Sequence, residues 1–184
     1  MHVPPSPEEE AFRDFFEHHH AGLARFAWLL LGDECGAEDI AAEAMLAVWK
    51  RWSDPEGPRG PEARAAYARG IVANLAKSRI RSSVRERRRN LLFWRGSGEA
   101  AAPTDVAGIV DVRRALQRLP FRKRACVVLR HSLDLTEAET AAALGIAVGT
   151  VKSQTSKGLA ELRRILRPAD GPEQRERLGN GVRL

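Results

Sequence analysis

Residues 136–162 read TEAETAAALGIAVGTVKSQTSKGLAEL, and the fold of the second half of the chain turns on this stretch. Its spacing predicts a helix-turn-helix. Ala141, Gly145 and Val151 fall where that motif needs a small residue, a residue tolerant of positive φ, and a buried aliphatic. A small Ala141 lets two helices cross closely, and Gly145 turns the chain within a short connection. Val151 then points back into the crossing with Leu159 and Leu162. The opposite face carries Lys152, Ser153, Ser156 and Lys157. These donors suit base edges and phosphates in a DNA major groove.

The remainder of the sequence bounds what surrounds that motif. A chain of 184 residues suits one ordinary domain or two small ones, and 43% hydrophobic residues suffice for packed cores. Aromatic residues are few and alternating β-branched runs are nearly absent, so the expected class is all-α. No apolar stretch reaches the length that spans a bilayer, and the acidic start at Glu8, Glu9 and Glu10 does not read as a signal peptide. A cytoplasmic protein is therefore expected. Cys35 and Cys126 are far apart without metal-ligand spacing, and read as reduced, small apolar residues.

The net charge of +6 conceals a strong asymmetry. Residues 1–57 carry 4 basic and 12 acidic side chains, residues 58–95 carry 11 and 2, and residues 111–167 carry 12 and 5. An acidic front suits a protein partner, whereas the two basic blocks behind it suit two contacts with a polyanion.

Helical punctuation divides the chain further. Pro7 and the glutamates after it start a helix in which Phe12, Phe15, Phe16, Leu23, Phe26, Ala27 and Leu30 recur at helical spacing up to Gly32. A second helix is predicted from about Ala37 to Trp52, burying Ile40, Ala41, Ala44, Val48 and Trp49. Asp54 to Pro61 forms a loop, and Pro61 opens a long helix reaching about Arg89 with Ala68, Ile71, Val72 and Leu75 on one face. Asn74, Lys77, Ser78, Arg81 and Arg85 follow spacings of three and four and share a polar stripe. Leu91 to Trp94 is a short apolar patch placed to close the first domain, and Gly96 to Gly108 reads as a flexible connection. Beyond it, a helix from Asp111 turns Val112, Ala115, Leu116 and Leu119 inward. Pro120 breaks it, and a further helix carries Ala125, Val128 and Leu129. The predicted organisation is two small helical domains, 8–94 and 111–167, with a linker at 95–110 and a charged tail at 168–184.

Catalysis finds little support. His18, His19 and His20 are consecutive on a helix, point in three directions and cannot converge on one metal ion, so they read as surface residues. Asp33, Glu34, Glu38 and Asp39 lack a histidine base, and no phosphate-binding glycine loop is present. No enzyme activity, metal or cofactor is expected.

With these pieces placed, the chain resembles the bacterial extracytoplasmic-function sigma factors of the sigma-70 family, the group that keeps only regions 2 and 4. Residues 12 to about 93 look like region 2 and residues 111 to 166 like region 4. Ala37-Glu38-Asp39-Ile40 and the tryptophan-bearing helix to Trp52 are similar to the family's core-binding helix. Leu119-Pro120, Arg124, and Gly149-Thr150-Val151-Lys152-Ser153 are similar to its minus-35 reading domain. Departures fall in the first domain: Tyr67 stands where many relatives have tryptophan, Ser78 where many have aspartate, and Ala42 and Met45 where glutamine and phenylalanine are common.

The resemblance implies a subunit that binds RNA polymerase core and starts promoter-specific transcription by reading minus-35 duplex and opening the minus-10 element. Its implied partners are core polymerase, through the largest-subunit coiled coil and the flap region, promoter DNA, and an anti-sigma factor clamped between or around the two domains. Neither a membrane nor a small-molecule substrate is implied. Glu38, Asp39, Glu43, Leu46 and Lys50 would face polymerase. The loop from Asp54 to Gly60 and the following helix would capture unstacked bases. There Asn74 offers donors and an acceptor to a base edge, while Arg59, Arg64, Lys77, Arg79, Arg81 and Arg85, with Ser78 on the same stripe, hold the backbone. At minus-35, Thr150, Lys152, Ser153, Ser156 and Lys157 would enter the groove while Arg122, Arg124 and Arg130 approach phosphates. Two other readings remain open on the residues alone, a stand-alone helix-turn-helix regulator and a protein-interaction adaptor with basic helical faces.

Overall fold

The computed structural model describes residues 5–93 and 107–166. These residues form seven helices and, among themselves, no strand. In order they are α1 (Pro7–Leu31), α2 (Glu34–Lys50), α3 (Pro61–Phe93), α4 (Ala107–Arg118), α5 (Phe121–His131), α6 (Glu137–Leu144) and α7 (Val148–Leu166).

Helix α1 starts in a capping box. The Ser6 hydroxyl accepts from the Glu9 amide at 3.3 Å, and the Glu9 carboxylate accepts from the Ser6 amide at 2.7 Å, so two orphan donors are satisfied reciprocally. It ends at Gly32, whose φ of 77° lies in the left-handed region that costs glycine no steric penalty. Helix α2 begins earlier than the expected Ala37. The Asp33 carboxylate accepts from the Gly36 amide at 3.2 Å and caps the helix three residues upstream. It stops at Lys50, short of Trp52. Helix α3 runs past the expected Arg89 to Phe93.

Helices α1, α2 and α3 pack against one another in a front unit, with Phe26, Leu30, Met45, Val48 and Val72 fully buried. The rear unit is built around α5 and α7, with α4 and α6 alongside, and buries Leu119, Leu129, Val128 and Val151. The buried apolar side chains of the two units form one continuous cluster: α6 lies on α3, while α4 and α5 lie on α1. Tethered domains were expected; the described structure docks them.

Several expected positions are corrected. Trp49 is 36% exposed rather than buried, because it falls at the margin of the face that carries Ala41, Ala44 and Val48. Val112 is 45% exposed, since the docked side of α4 is set by Ala115 and Leu116, with Leu119 just past its end. His19 and His20 are half-buried rather than free on the surface: His19 lies against Phe15 at a ring separation of 4.4 Å, and His20 stacks on Phe16 at 4.6 Å. The expected linker at 95–110 overlaps α4, which starts at Ala107. Trp94, residues 95–106 and the tail at 168–184 lie outside the described residues, as do the side chains of Leu91 to Phe93.

Candidate nucleic-acid interface

The helix-turn-helix forms from local chemistry. The Thr136 hydroxyl accepts from the Glu139 amide at 3.2 Å, and the Glu139 carboxylate accepts from the Thr136 amide and hydroxyl, each at 2.6 Å. Those bonds to Thr136, aided by Arg69 and Arg130 nearby, hold the Glu139 carboxyl below the usual carboxylate range. Gly145 ends α6 at φ 61°, and the Ile146 amide donates to the Ala141 carbonyl at 3.1 Å. That tight end delivers α7 across α6 with Val151 fully buried in the crossing.

The reverse of α7 is open. Lys152, Ser153, Ser156 and Lys157 are all exposed, and Thr150 is half-buried beside them. The Ser153 hydroxyl donates to the Thr150 carbonyl at 3.0 Å, and the Lys152 ammonium stands 3.5 Å from the Glu137 carboxylate. Both contacts are exposed and exchangeable, so this face keeps its donors for a ligand. Arg122, on α5, is likewise exposed.

Arg124 and Arg130 do not share that exposure. The Arg124 guanidinium is buried. It donates to the carbonyl of Leu30, to the Gln117 side-chain oxygen at 2.6 Å, and to the carbonyls of Gln117 and Leu119 at 2.9 and 3.1 Å. Leu30 lies in the last turn of α1, Gln117 in the last turn of α4 and Leu119 just beyond it, so the cation sits where two helix C-termini bring their negative ends together. Burial pushes its pKa down from the usual arginine value without a carboxylate to compensate. Arg130 is half-buried and donates to the Leu135 carbonyl, which fixes the connection from α5 to α6. The guanidiniums of these two arginines are therefore engaged with carbonyl groups that hold the motif.

The second basic surface lies on α3. Asn74, Ser78, Arg81 and Arg85 are exposed, and Lys77 is half-buried. Arg64 is drawn elsewhere: its guanidinium stacks 3.6 Å from the Trp52 ring centroid and donates to the Trp52 carbonyl at 3.0 Å, tying the start of α3 to the end of α2. Arg59 is exposed and donates to the Pro55 carbonyl at 2.5 Å. The loop is pinned by Asp54, which accepts from the Glu56 amide at 2.9 Å and from Arg51 at 3.1 Å. Arg79 stands 3.6 Å from Asp39 and links α3 to α2.

The acidic face of α2 presents Glu38, Asp39, Glu43, Leu46 and Lys50, all exposed, with Leu46 at 50%. Two residues that helical spacing grouped with the apolar faces join it. Trp49 follows Leu46 by three positions, and Phe16 on α1 is 37% exposed beside it. Phe12 bridges them, 4.9 Å from the Trp49 ring and 6.3 Å from that of Phe16. The signal was the i, i+3 spacing from Leu46, which places Trp49 on the outer stripe as much as the inner one. Among the described residues no cluster of three or more potential ligands is placed to hold a metal, and no helix is long and apolar enough to cross a membrane.

Sequence profiles agree with this division. That of sigma-70 region 2 matches residues 15–86 and that of sigma-70 region 4 matches residues 109–162. The chain belongs to the sigma-70 family, and within it to the extracytoplasmic-function sigma factors, the transcription initiation factors that direct RNA polymerase to promoters. It is 32% identical over 156 residues to the extracytoplasmic-function RNA polymerase sigma factor SigM of Mycobacterium tuberculosis, covering 85% of this chain and 77% of that one. It is 30% identical over 171 residues to the RNA polymerase sigma-E factor of Streptomyces coelicolor, covering 84% and 85%. The fold is similar to that of the sigma factor RpoE in complex with the anti-sigma factor NepR from Bartonella quintana, with a TM-score of 0.68 and 22% identity over 87% of this chain and 99% of that one.

Proposed function

We propose that the two basic faces divide promoter recognition between them while the acidic face holds polymerase. In this reading α7 enters the minus-35 major groove with Lys152, Ser153, Ser156 and Lys157, and Thr150 and Arg122 flank it on phosphates. Asn74, Lys77, Ser78, Arg81 and Arg85 of α3, with Arg59 of the preceding loop, take the opened minus-10 strand. Glu38, Asp39, Glu43, Leu46 and Lys50, extended by Trp49, face the coiled coil of the largest polymerase subunit, and the rear unit meets the flap region. An anti-sigma factor is the further partner, as it is for the Bartonella protein. The protein acts in the cytoplasm, where polymerase is, without catalysing a reaction of its own.

The observation that carries this reading is the open donor face of α7 directly behind the fully buried Val151. Short hydroxyls between lysines on a helix whose other side is locked into a helix-turn-helix suit base-edge readout. The test is competition binding of holoenzyme to a randomised minus-35 library. Ser156→Ala is expected to relax one position of the sequence preference, at a cost of about 1 to 3 kcal/mol. Arg122→Ala should weaken all sequences alike and lower the salt slope. An unchanged preference for substitutions at all four of Lys152, Ser153, Ser156 and Lys157 would refute the assignment. Equal binding without core polymerase would favour a stand-alone regulator.

A further inference from the structure

A cavity of about 80 Å³ lies between α1, α3 and the connection from α5 to α6, and shares no residue with the acidic face or with either basic face. Its wall includes His18, His19 and Gly22 of α1, Arg69 of α3 and Leu133 of the connection. Spacings of three and four residues bring both histidines to the side of α1 that carries Gly22. Consecutive histidines were expected to diverge, yet the rings of His18 and His19 stand edge to face with centroids 4.7 Å apart.

The charge around this space has one sign. Its ionisable lining consists of two imidazoles and a guanidinium, and no carboxylate among the described residues joins them. Burial, and then the charges of His18 and Arg69, hold the His19 imidazole below its usual pKa. Burial likewise pushes the Arg69 pKa down, with Glu139 of α6 acting against it. That carboxylate is already bonded to the Thr136 amide and hydroxyl. The Nε of Arg69 is buried with no hydrogen-bond partner among the described residues, a condition that a water or an ion ordinarily relieves. Gly22 keeps the space clear. Glycine inside a helix is less stable than alanine, and a Cβ at this position would meet nothing within 4 Å.

We propose that His18, His19 and Arg69 form a binding site for one free tetrahedral oxyanion of the phosphate and sulfate type. The cavity has room for several waters, which suffices for such an ion and leaves none for the body of a larger ligand. A guanidinium offers paired donors to an oxyanion, and a protonated imidazole donates from both nitrogens. Binding is coupled to proton uptake: an anion favours the charged form of His19, where that form now meets only like charges. The anion therefore raises the His19 pKa, and by reciprocity its own affinity rises as the pH falls below 6.5.

Sulfate is the probe, because its charge is constant while histidine titrates, whereas a phosphate group titrates in the same range. The full chain is followed by NMR of its histidine rings at fixed ionic strength, with sodium sulfate replacing sodium chloride. Loss of signals in His18→Gln and His19→Gln assigns the two rings. The His19 midpoint is expected to rise with sulfate by about one unit and then saturate, which corresponds to about tenfold tighter binding to the protonated form. Gly22→Leu fills the space and keeps all three nitrogen groups, and Arg69→Gln removes the guanidinium. Each should abolish the rise, and Arg69→Gln should also raise the midpoint in chloride by removing a like charge. Should either variant lose helicity, His18→Gln at an exposed position must weaken sulfate binding. The same midpoint in sulfate and chloride would overturn the site. A rise that never saturates, or that survives in the folded variants, would mean an adventitious ion only and overturn it equally.

Discussion

Replacing Arg124 by alanine separates the structural account of this residue from the phosphate contact that its sequence position suggests. The side chain donates to three backbone carbonyls, those of Leu30, Gln117 and Leu119, and to the Gln117 amide oxygen. Alanine orphans them at a residue that is only 6% exposed. Each buried acceptor left without a donor costs about 1 to 3 kcal/mol. Against that stand water entering the vacated space and the desolvation of a guanidinium whose Nε has no partner. The net loss expected is about 2 to 4 kcal/mol, close to what removing one partner of a buried polar cluster costs. Urea unfolding followed by circular dichroism measures it as a lowered midpoint at unchanged slope. Arg122→Ala, two positions away and exposed, is the control and should fall within about 0.5 kcal/mol of the parent. Arg124→Lys should recover part of the loss, since an ammonium supplies donors without the planar fork. Equal midpoints for Arg124→Ala and Arg122→Ala, together with a reduced salt slope in DNA binding for Arg124→Ala, would refute the reasoning and return the residue to phosphate.

Other consequences are as specific. Thr136→Ala removes one half of the α6 capping box and should cost about 1 kcal/mol, read in the same unfolding assay, with Thr136→Ser close to neutral. His19 has its pKa lowered from 6.5, first by burial and then by His18 and Arg69, so the unfolded chain takes up its proton before the folded one does. Its contribution is fully present above pH 6.5 and is lost as the pH falls from there toward the depressed folded value; unfolding midpoints taken across that window should flatten in His19→Gln. Reversing Asp39 and Glu43 together should weaken binding to core polymerase, measured by fluorescence anisotropy, while helicity stays as in the parent. Unchanged core affinity in the folded double variant would remove α2 from the polymerase interface.

The sequence by itself determined the helices and their faces. Pro7, Gly32, Pro61 and Gly145 sit at or next to helix ends in the structure, because capping and positive φ are decided within a turn of the chain. The spacing from Ala141 through Val151 placed one side of α7 inside and Lys152, Ser153, Ser156 and Lys157 outside, because helical periodicity is likewise local. Tertiary structure decided where the long cations went. The resemblance put Arg64, Arg124 and Arg130 on phosphates, yet each donates to a carbonyl of another segment, in the case of Arg124 to that of Leu30, 94 residues away. A guanidinium on a flexible stem reaches water, a carbonyl or a phosphate with equal ease, and only the packed partner selects among them. The exposure of Trp49 and the contact of Gly70 with Ala143 belong to the same class. Both depend on where one helix lies against its neighbour, and periodicity along a single helix carries no information about that.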